Sequence, residues 1–233
     1  MTHGSPADHD VVAEYREQLD RVGYLIATDA ELGVPFGTHL ADNFFTSEQL
    51  RRYDGDMPAD RLRARDVVRY NRFGDDLDLA EHDTVELPDR DNPMRIRLFD
   101  QTEVLKDEKF VALVKTLLNL VPKRRRKAAG TFGINMFRTF TDVVTKPHHD
   151  EEEYVIVYVV AKTANGGRTQ LLHNECDDII LERELQPGQL LMFRDDMFRH
   201  SATTLEATAE KGAHRDALIC TVDYPTTYGI GLC

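Results

Sequence analysis

Tyr154-Val155-Ile156-Val157-Tyr158-Val159-Val160 is the stretch on which the fold of this chain turns. β-Branched residues dominate it, and its two tyrosines are the only members with a polar atom. An extended segment of this composition is apolar on both faces, which predicts a central strand covered on each side. Working outward, short β-prone runs recur at Thr131–Phe137, Thr169–Leu172, Ile179–Leu181, Leu190–Phe193 and Ala217–Val222. Turn signals such as Asn165-Gly166-Gly167 and Pro187-Gly188 separate them. Several short strands at this spacing predict a barrel or a double-sheet sandwich.

Upstream the pattern changes period. Phe110, Leu113, Val114, Leu117, Leu118 and Val121 mark one face of a helix, with Asp107 as its cap and Pro122 as its stop. An earlier helix is predicted from Val11 to Val22, capped by Asp10, carrying Val12, Tyr15, Leu19 and Val22 on one stripe and ended by Gly23. Tyr24–Ala27 then reads as a strand. Thr46-Ser47-Glu48-Gln49 has capping-box spacing for a short helix. Residues 54–100 read as long loops around one or two strands, with Val67–Phe73 the clearest. Residues 1–9 read as a flexible lead. The expectation is one α+β domain over 10–233, with helical support at about 10–122 and a β-rich core at about 130–225.

Composition narrows the function classes. The 233 residues carry 41 acidic and 29 basic side chains, a net charge of −12, whose field would repel a nucleic acid. No apolar run approaches the ~20 residues of a membrane span. The first 25 residues are polar and acidic, unlike a signal peptide. Three scattered cysteines, Cys176, Cys220 and Cys233, fit a reduced compartment, so a cytoplasmic location is expected.

The chemistry concentrates just before the central strand, in Pro147-His148-His149-Asp150. His148 and Asp150 are two apart and share a face when extended. With a third ligand from His200, in Phe198-Arg199-His200-Ser201, they would form the two-His, one-carboxylate facial triad of non-haem Fe(II) oxygenases. The doubled histidine leaves an alternative, His149 with Glu151. Arg215 follows His200 by fifteen residues and opens a predicted strand, where its guanidinium could pair with the distal carboxylate of 2-oxoglutarate.

These residues carry a family resemblance. HHDEEEYVIVYVV, NGGRTQLL, LQPGQLLMFRDDMFRHSATTL and RDALICTVDYP, in that order, resemble the 2-oxoglutarate/Fe(II) dioxygenase superfamily. Within it, the chain most resembles the small bacterial branch of the L-isoleucine 4-hydroxylase type, which hydroxylates free amino acids. Tyr154 matches the aromatic four residues after the metal Asp. Gly166, Gly167 and Thr169 match a GGxT turn. Asp195, Asp196 and His200 match an acidic pair before the distal His, and Arg215 and Leu218 match an Arg-x-x-Leu strand. Glu151 departs from the glycine often found after the metal Asp. The resemblance implies a double-stranded β-helix (jelly-roll, cupin-like) core. It implies Fe(II), 2-oxoglutarate and O₂, with release of succinate and CO₂. Because Asp150 supplies the carboxylate that related halogenases lack, hydroxylation or another oxidation is expected rather than chlorination.

The expected substrate is a free amino acid or similar small polar metabolite. A larger natural-product or carrier-bound intermediate is the alternative, and a cupin-like module that holds metal without turnover is a different class. A homodimer is left open. Arg138, Glu151 and Arg168 are candidate substrate contacts, and Asp196 is a candidate partner orienting a ligand histidine. The basic run Lys123–Lys127 reads as a solvated connection.

Overall fold

The computed structural model describes residues 7–52, 61–81, 87–88, 96–97, 102–140, 145–206 and 212–223. The N-terminal half opens with α1 (Ala7–Val22), β1 (Tyr24–Thr28) and α2 (Gly37–Phe44). It continues with β2 (Arg61–Phe73), β3 (Asp76–Glu81), the two-residue β4 (Leu87–Pro88) and β5 (Ile96–Arg97), and α3 (Glu108–Leu120). The β-rich half holds β6 (Ala129–Thr139), β7 (Thr145–His148), β8 (Tyr154–Lys162), β9 (Asn165–Gly166), β10 (Thr169–His173) and β11 (Ile179–Arg183). It closes with β12 (Gln189–Arg194), β13 (Phe198–Ala202), β14 (Leu205–Glu206) and β15 (Arg215–Val222).

Two antiparallel sheets organise these elements. The larger has seven strands in the order β1-β12-β8-β15-β6-β2-β3, and the smaller has four, β11-β10-β13-β7. β8 pairs with β12 on one side and β15 on the other, so it is a central strand. Its alternating side chains serve two cores. Tyr154, Ile156, Tyr158 and Val160 join Leu19, Leu40, Phe110, Leu113 and Leu117 of the helices on one face. Val155, Val157 and Val159 meet Leu171, Leu185, Leu191, Phe193 and Phe198 on the other. The period-two alternation of a doubly buried strand therefore builds the jelly roll, with helices covering its outer face.

Helix ends follow local chemistry. The Asp107 side chain accepts a 2.8 Å hydrogen bond from Phe110 N and caps α3. Gly23, at φ 85°, ends α1, and a Cβ there would lie 2.6 Å from Met197 Sδ. Only glycine suits both the backbone and the contact.

Three expectations need correction. α1 starts at Ala7, so Asp10 lies inside the helix rather than at its cap, and Val22 is exposed. Thr46–Gln49 forms a single turn closed by Leu50 N on Thr46 O at 3.0 Å, not a helix, while the true short helix, α2, lies upstream. The segment expected to be mostly loop holds the thirteen-residue β2 and its partner β3. Much of 54–100, and residues 1–6 of the expected lead, lie outside the described residues. The basic run is, as expected, a largely exposed connection after α3, and ion pairs tether it: Arg124 and Arg125 reach Asp20, Arg126 reaches Asp75, and Lys127 bridges Glu153 and Asp223. No helix among the described residues is long and apolar enough to cross a membrane.

Candidate metal centre and cosubstrate anchor

β7 delivers His148 beside His200 of β13, because the two strands pair with His148 opposite His200. The rings lie 4.2 Å apart, centroid to centroid. Asp150, just past the end of β7, places its two carboxylate oxygens 3.5 Å from His148 Nε2 and 3.6 Å from His200 Nε2. One ligand atom from each of His148, Asp150 and His200 lies within 4.8 Å of the others. These separations converge three ligand atoms on one point between the sheets.

The two histidines titrate in opposite directions. His148 Nδ1 donates to Lys146 O at 2.8 Å, which leaves the Nε2 lone pair directed at Asp150. The Asp150 carboxylate raises the His148 imidazole above its ordinary value. Burial pushes His200 down to about 4, so its ring is neutral at neutral pH. With the His148 proton displaced by the ion, two imidazoles and one carboxylate would make the donor set of a non-haem ferrous site.

His149 faces elsewhere, with Nδ1 donating to Asp195 O at 2.6 Å. Glu151 is exposed, with left-handed backbone at φ 65°. The alternative ligand pair His149 and Glu151 is thus not brought to His200. Asp196, expected behind a ligand histidine, instead pairs with Arg194 at 2.6 Å and is exposed. Its neighbour Asp195 occupies that place. The Asp195 carboxylate is 1% exposed and stands 3.8 Å from Nδ1 of both His200 and His149. It accepts the backbone N–H groups of Glu151 at 2.7 Å and Glu152 at 3.3 Å, which holds the turn after Asp150. Burial raises its carboxyl despite those donors. Period two would have found it, because Leu191 and Phe193 face the inter-sheet core and 195 continues that face.

Arg215 opens β15 on the same inner face, with Leu218, Cys220 and Val222 pointing to the helices. Its guanidinium donates to Gly167 O at 2.7 Å, and burial, then the nearby Arg61, lowers it to about 10. Gly167 makes that contact available: its φ is 62°, and a Cβ would sit 2.5 Å from Leu205 Cδ2 and 3.4 Å from Arg215 Nη1. Arg138 points the other way and pairs bidentately with the buried Asp216 at 2.8 and 2.7 Å. A bidentate partner already fills its fork, which leaves it a structural rather than a substrate contact. Arg168 pairs with Glu182 at 2.9 Å with more than half of its side chain exposed.

Comparison with known proteins completes the picture. A family model described as 2OG-Fe dioxygenase matches residues 47–221. No curated protein matches the sequence. Among solved structures, a bsmA homolog from Methylobium petroleophilum PM1 is similar at 20% identity and a TM-score of 0.72, covering 91% of this chain and 92% of that one. The Fe(II)/(alpha)ketoglutarate-dependent dioxygenase TqaL is similar at 14% identity and a TM-score of 0.69, covering 97% and 92%. IDO from Bacillus thuringiensis is similar at 16% identity and a TM-score of 0.64, covering 91% and 98%.

Proposed function

Since the chain belongs to the 2OG-Fe dioxygenase family and so works with Fe(II), 2-oxoglutarate and O₂, we propose that it hydroxylates a free amino acid or similarly small polar metabolite, releasing succinate and CO₂. The observation that carries this is the convergence of His148, Asp150 and His200 between the sheets. Those three side chains would hold the iron. When bound, Fe(II) supplies the O₂ activation that the protein's own groups lack. The chain's residues prepare the place for it. Lys146 O fixes the tautomer of His148. Asp195, an anion beside His200 Nδ1, favours the N–H at that nitrogen and keeps the Nε2 lone pair for the ion.

Arg215 would pair with the far carboxylate of 2-oxoglutarate, from a strand end fixed by β6 and β8 on either side. Phe193, its ring 5.1 Å from that of His200, joins Val155, Val157 and Val159 in an apolar cluster beside the site. Asp150 fills the carboxylate position, so the reading is hydroxylation rather than halogenation. The helical support and the jelly roll act as one domain, since one core cluster joins Leu19 and Phe110 to Ile156 and Leu218. The test is substrate-stimulated succinate release with Fe(II) and ascorbate across a panel of amino acids. His148→Ala and Asp150→Ala are expected to abolish it, and Arg215→Ala to raise the KM for 2-oxoglutarate. Unchanged turnover in the first two variants refutes the triad.

A further inference from the structure

A cavity of about 360 Å³ lies apart from the metal centre, lined by Tyr154, three arginines and three acids. Tyr154 of β8 stands opposite Arg194 of β12 in the register of the large sheet. Tyr154 packs into the helix-side core, and so does Met192, two residues before Arg194. By strand alternation both lining side chains therefore leave the sheet on the helix side. His200 lies against Phe193, on the opposite face. The turn Lys123–Arg125 after α3 supplies the other two arginines, Arg124 and Arg125. Glu152 and Glu153, two and three residues past Asp150, bring the cavity to the back of the turn that carries that ligand.

Most of this charge is already engaged. Arg124 Nε donates to both oxygens of Asp20 at 2.8 Å, Arg194 grips Asp196 at 3.0 and 2.6 Å, and Glu153 pairs with Lys127 at 2.6 Å. Two donors are not engaged in this way. Tyr154 is 1% exposed, and its hydroxyl has no hydrogen-bond partner among the described residues. The Arg125 Nε–H is buried and also makes no hydrogen bond, its ion-pair partner Asp20 standing 3.8 Å away and held by Arg124. Buried polar groups are nearly always paired, so two such donors in one cavity point to a ligand. Burial pushes the Tyr154 hydroxyl up to about 12, against the pull of Arg125 and then Arg194, so a neutral O–H stands near both guanidinium groups.

We propose that this cavity binds a small, singly charged carboxylate, held by the Arg125 guanidinium and the Tyr154 hydroxyl. An N–H fork beside an O–H calls for an acceptor, and the fork matches a carboxylate with two parallel bonds. The three arginines and three acids of the lining balance, so its field does not favour a multiply charged ion such as the phosphate dianion. The volume is in the range of small-molecule sites.

Calorimetric titration of the metal-free protein with acetate and glycolate, against phosphate and chloride at equal ionic strength, tests this. One saturable carboxylate site is expected, with phosphate at least tenfold weaker and chloride without effect. Tyr154→Phe and Arg125→Gln should each weaken it tenfold or more, and Arg125→Lys should recover part of the loss. Arg215→Lys should leave it unchanged, which separates it from the cosubstrate anchor. Thermal melts of Tyr154→Phe in chloride buffer give a reading that needs no ligand. Loss of an unpartnered hydroxyl should leave the Tm unchanged or raised, whereas loss of one bonded within the protein would lower it by about 2–4 °C. Such a fall overturns the inference. So does the absence of saturable carboxylate binding, phosphate binding as tightly as acetate, binding that survives in both Tyr154→Phe and Arg125→Gln, or binding lost only in Arg215→Lys.

Discussion

Replacing Asp195 with alanine tests how the metal centre is held without touching a ligand. The carboxylate is 1% exposed and accepts two backbone N–H groups from the turn that follows Asp150. Hydrogen bonds to a charged acceptor contribute about 1.5–3 kcal/mol each, and water can reach the exposed Glu151 end and recover part of that. We therefore expect a loss of about 2–3 kcal/mol, or about 5–10 °C in Tm for a domain of this size. The second effect is on the ion. Without the anion 3.8 Å from His200 Nδ1, the electrostatic preference for an N–H at that nitrogen is lost. Loss of a hydrogen-bonded outer partner costs about 10–100-fold in metal affinity, and for this unbonded anion we expect the lower end of that range. Anaerobic calorimetric titration of Fe(II) or Co(II) reads the affinity, and a thermal melt of the metal-free protein reads the stability. Asp195→Asn keeps an acceptor for Glu151 N but removes the charge, so it should recover most of the Tm and little of the affinity. Wild-type metal affinity in Asp195→Ala would refute the reasoning, and so would full recovery of affinity by asparagine.

Other substitutions separate structural from functional arginines and test the supports. Arg138→Ala strands the buried Asp216 carboxylate and should cost about 3–5 kcal/mol of stability by denaturant melts, without a selective rise in the KM for 2-oxoglutarate. Gly167→Ala places a Cβ 2.5 Å from Leu205 and forces a left-handed backbone. It should cost about 1–2 kcal/mol and raise that KM by disturbing the carbonyl on which Arg215 rests. Asp107→Ala removes the α3 cap and should cost about 1 kcal/mol. Although burial opposes it, the Asp107 carboxyl sits below its ordinary 3.8 because Phe110 N–H and His39 donate to it. A depressed acid stabilises above its unfolded value, so this contribution is complete above pH ~4 and is lost as pH falls through the folded value. The difference in Tm between wild type and Asp107→Ala should shrink as melts move below that pH.

Much of this arrangement was legible in the sequence because it rests on short-range rules. A doubly apolar strand must be central, and Tyr154–Val160 became β8. The 3.6-residue period from Phe110 to Leu118 and the Asp107 cap are both visible in α3. The illegible parts depend on distant partners. β7 and β13 are short and carry polar residues, so no hydrophobic pattern marks them, yet their pairing sets His148 opposite His200. Arg138 and Arg215 look alike in sequence. Strand alternation sends one toward Asp216 on the helix side and the other into the inter-sheet space. Asp195 and Asp196 are adjacent, and only the turn after β12 decides which is buried beside the histidines. β2 itself was hidden inside a segment whose charge density read as loop.

In the proposed site, His148, Asp150 and His200 together would hold one ferrous ion that drives 2-oxoglutarate oxidation. Anaerobic Fe(II) titration of wild type and of the three single alanine variants, followed by succinate release from the same samples, tests it most directly. One tightly held ion per wild-type chain is expected, with weakened binding and no succinate from each variant. A variant that binds iron and forms succinate as wild type does would contradict it.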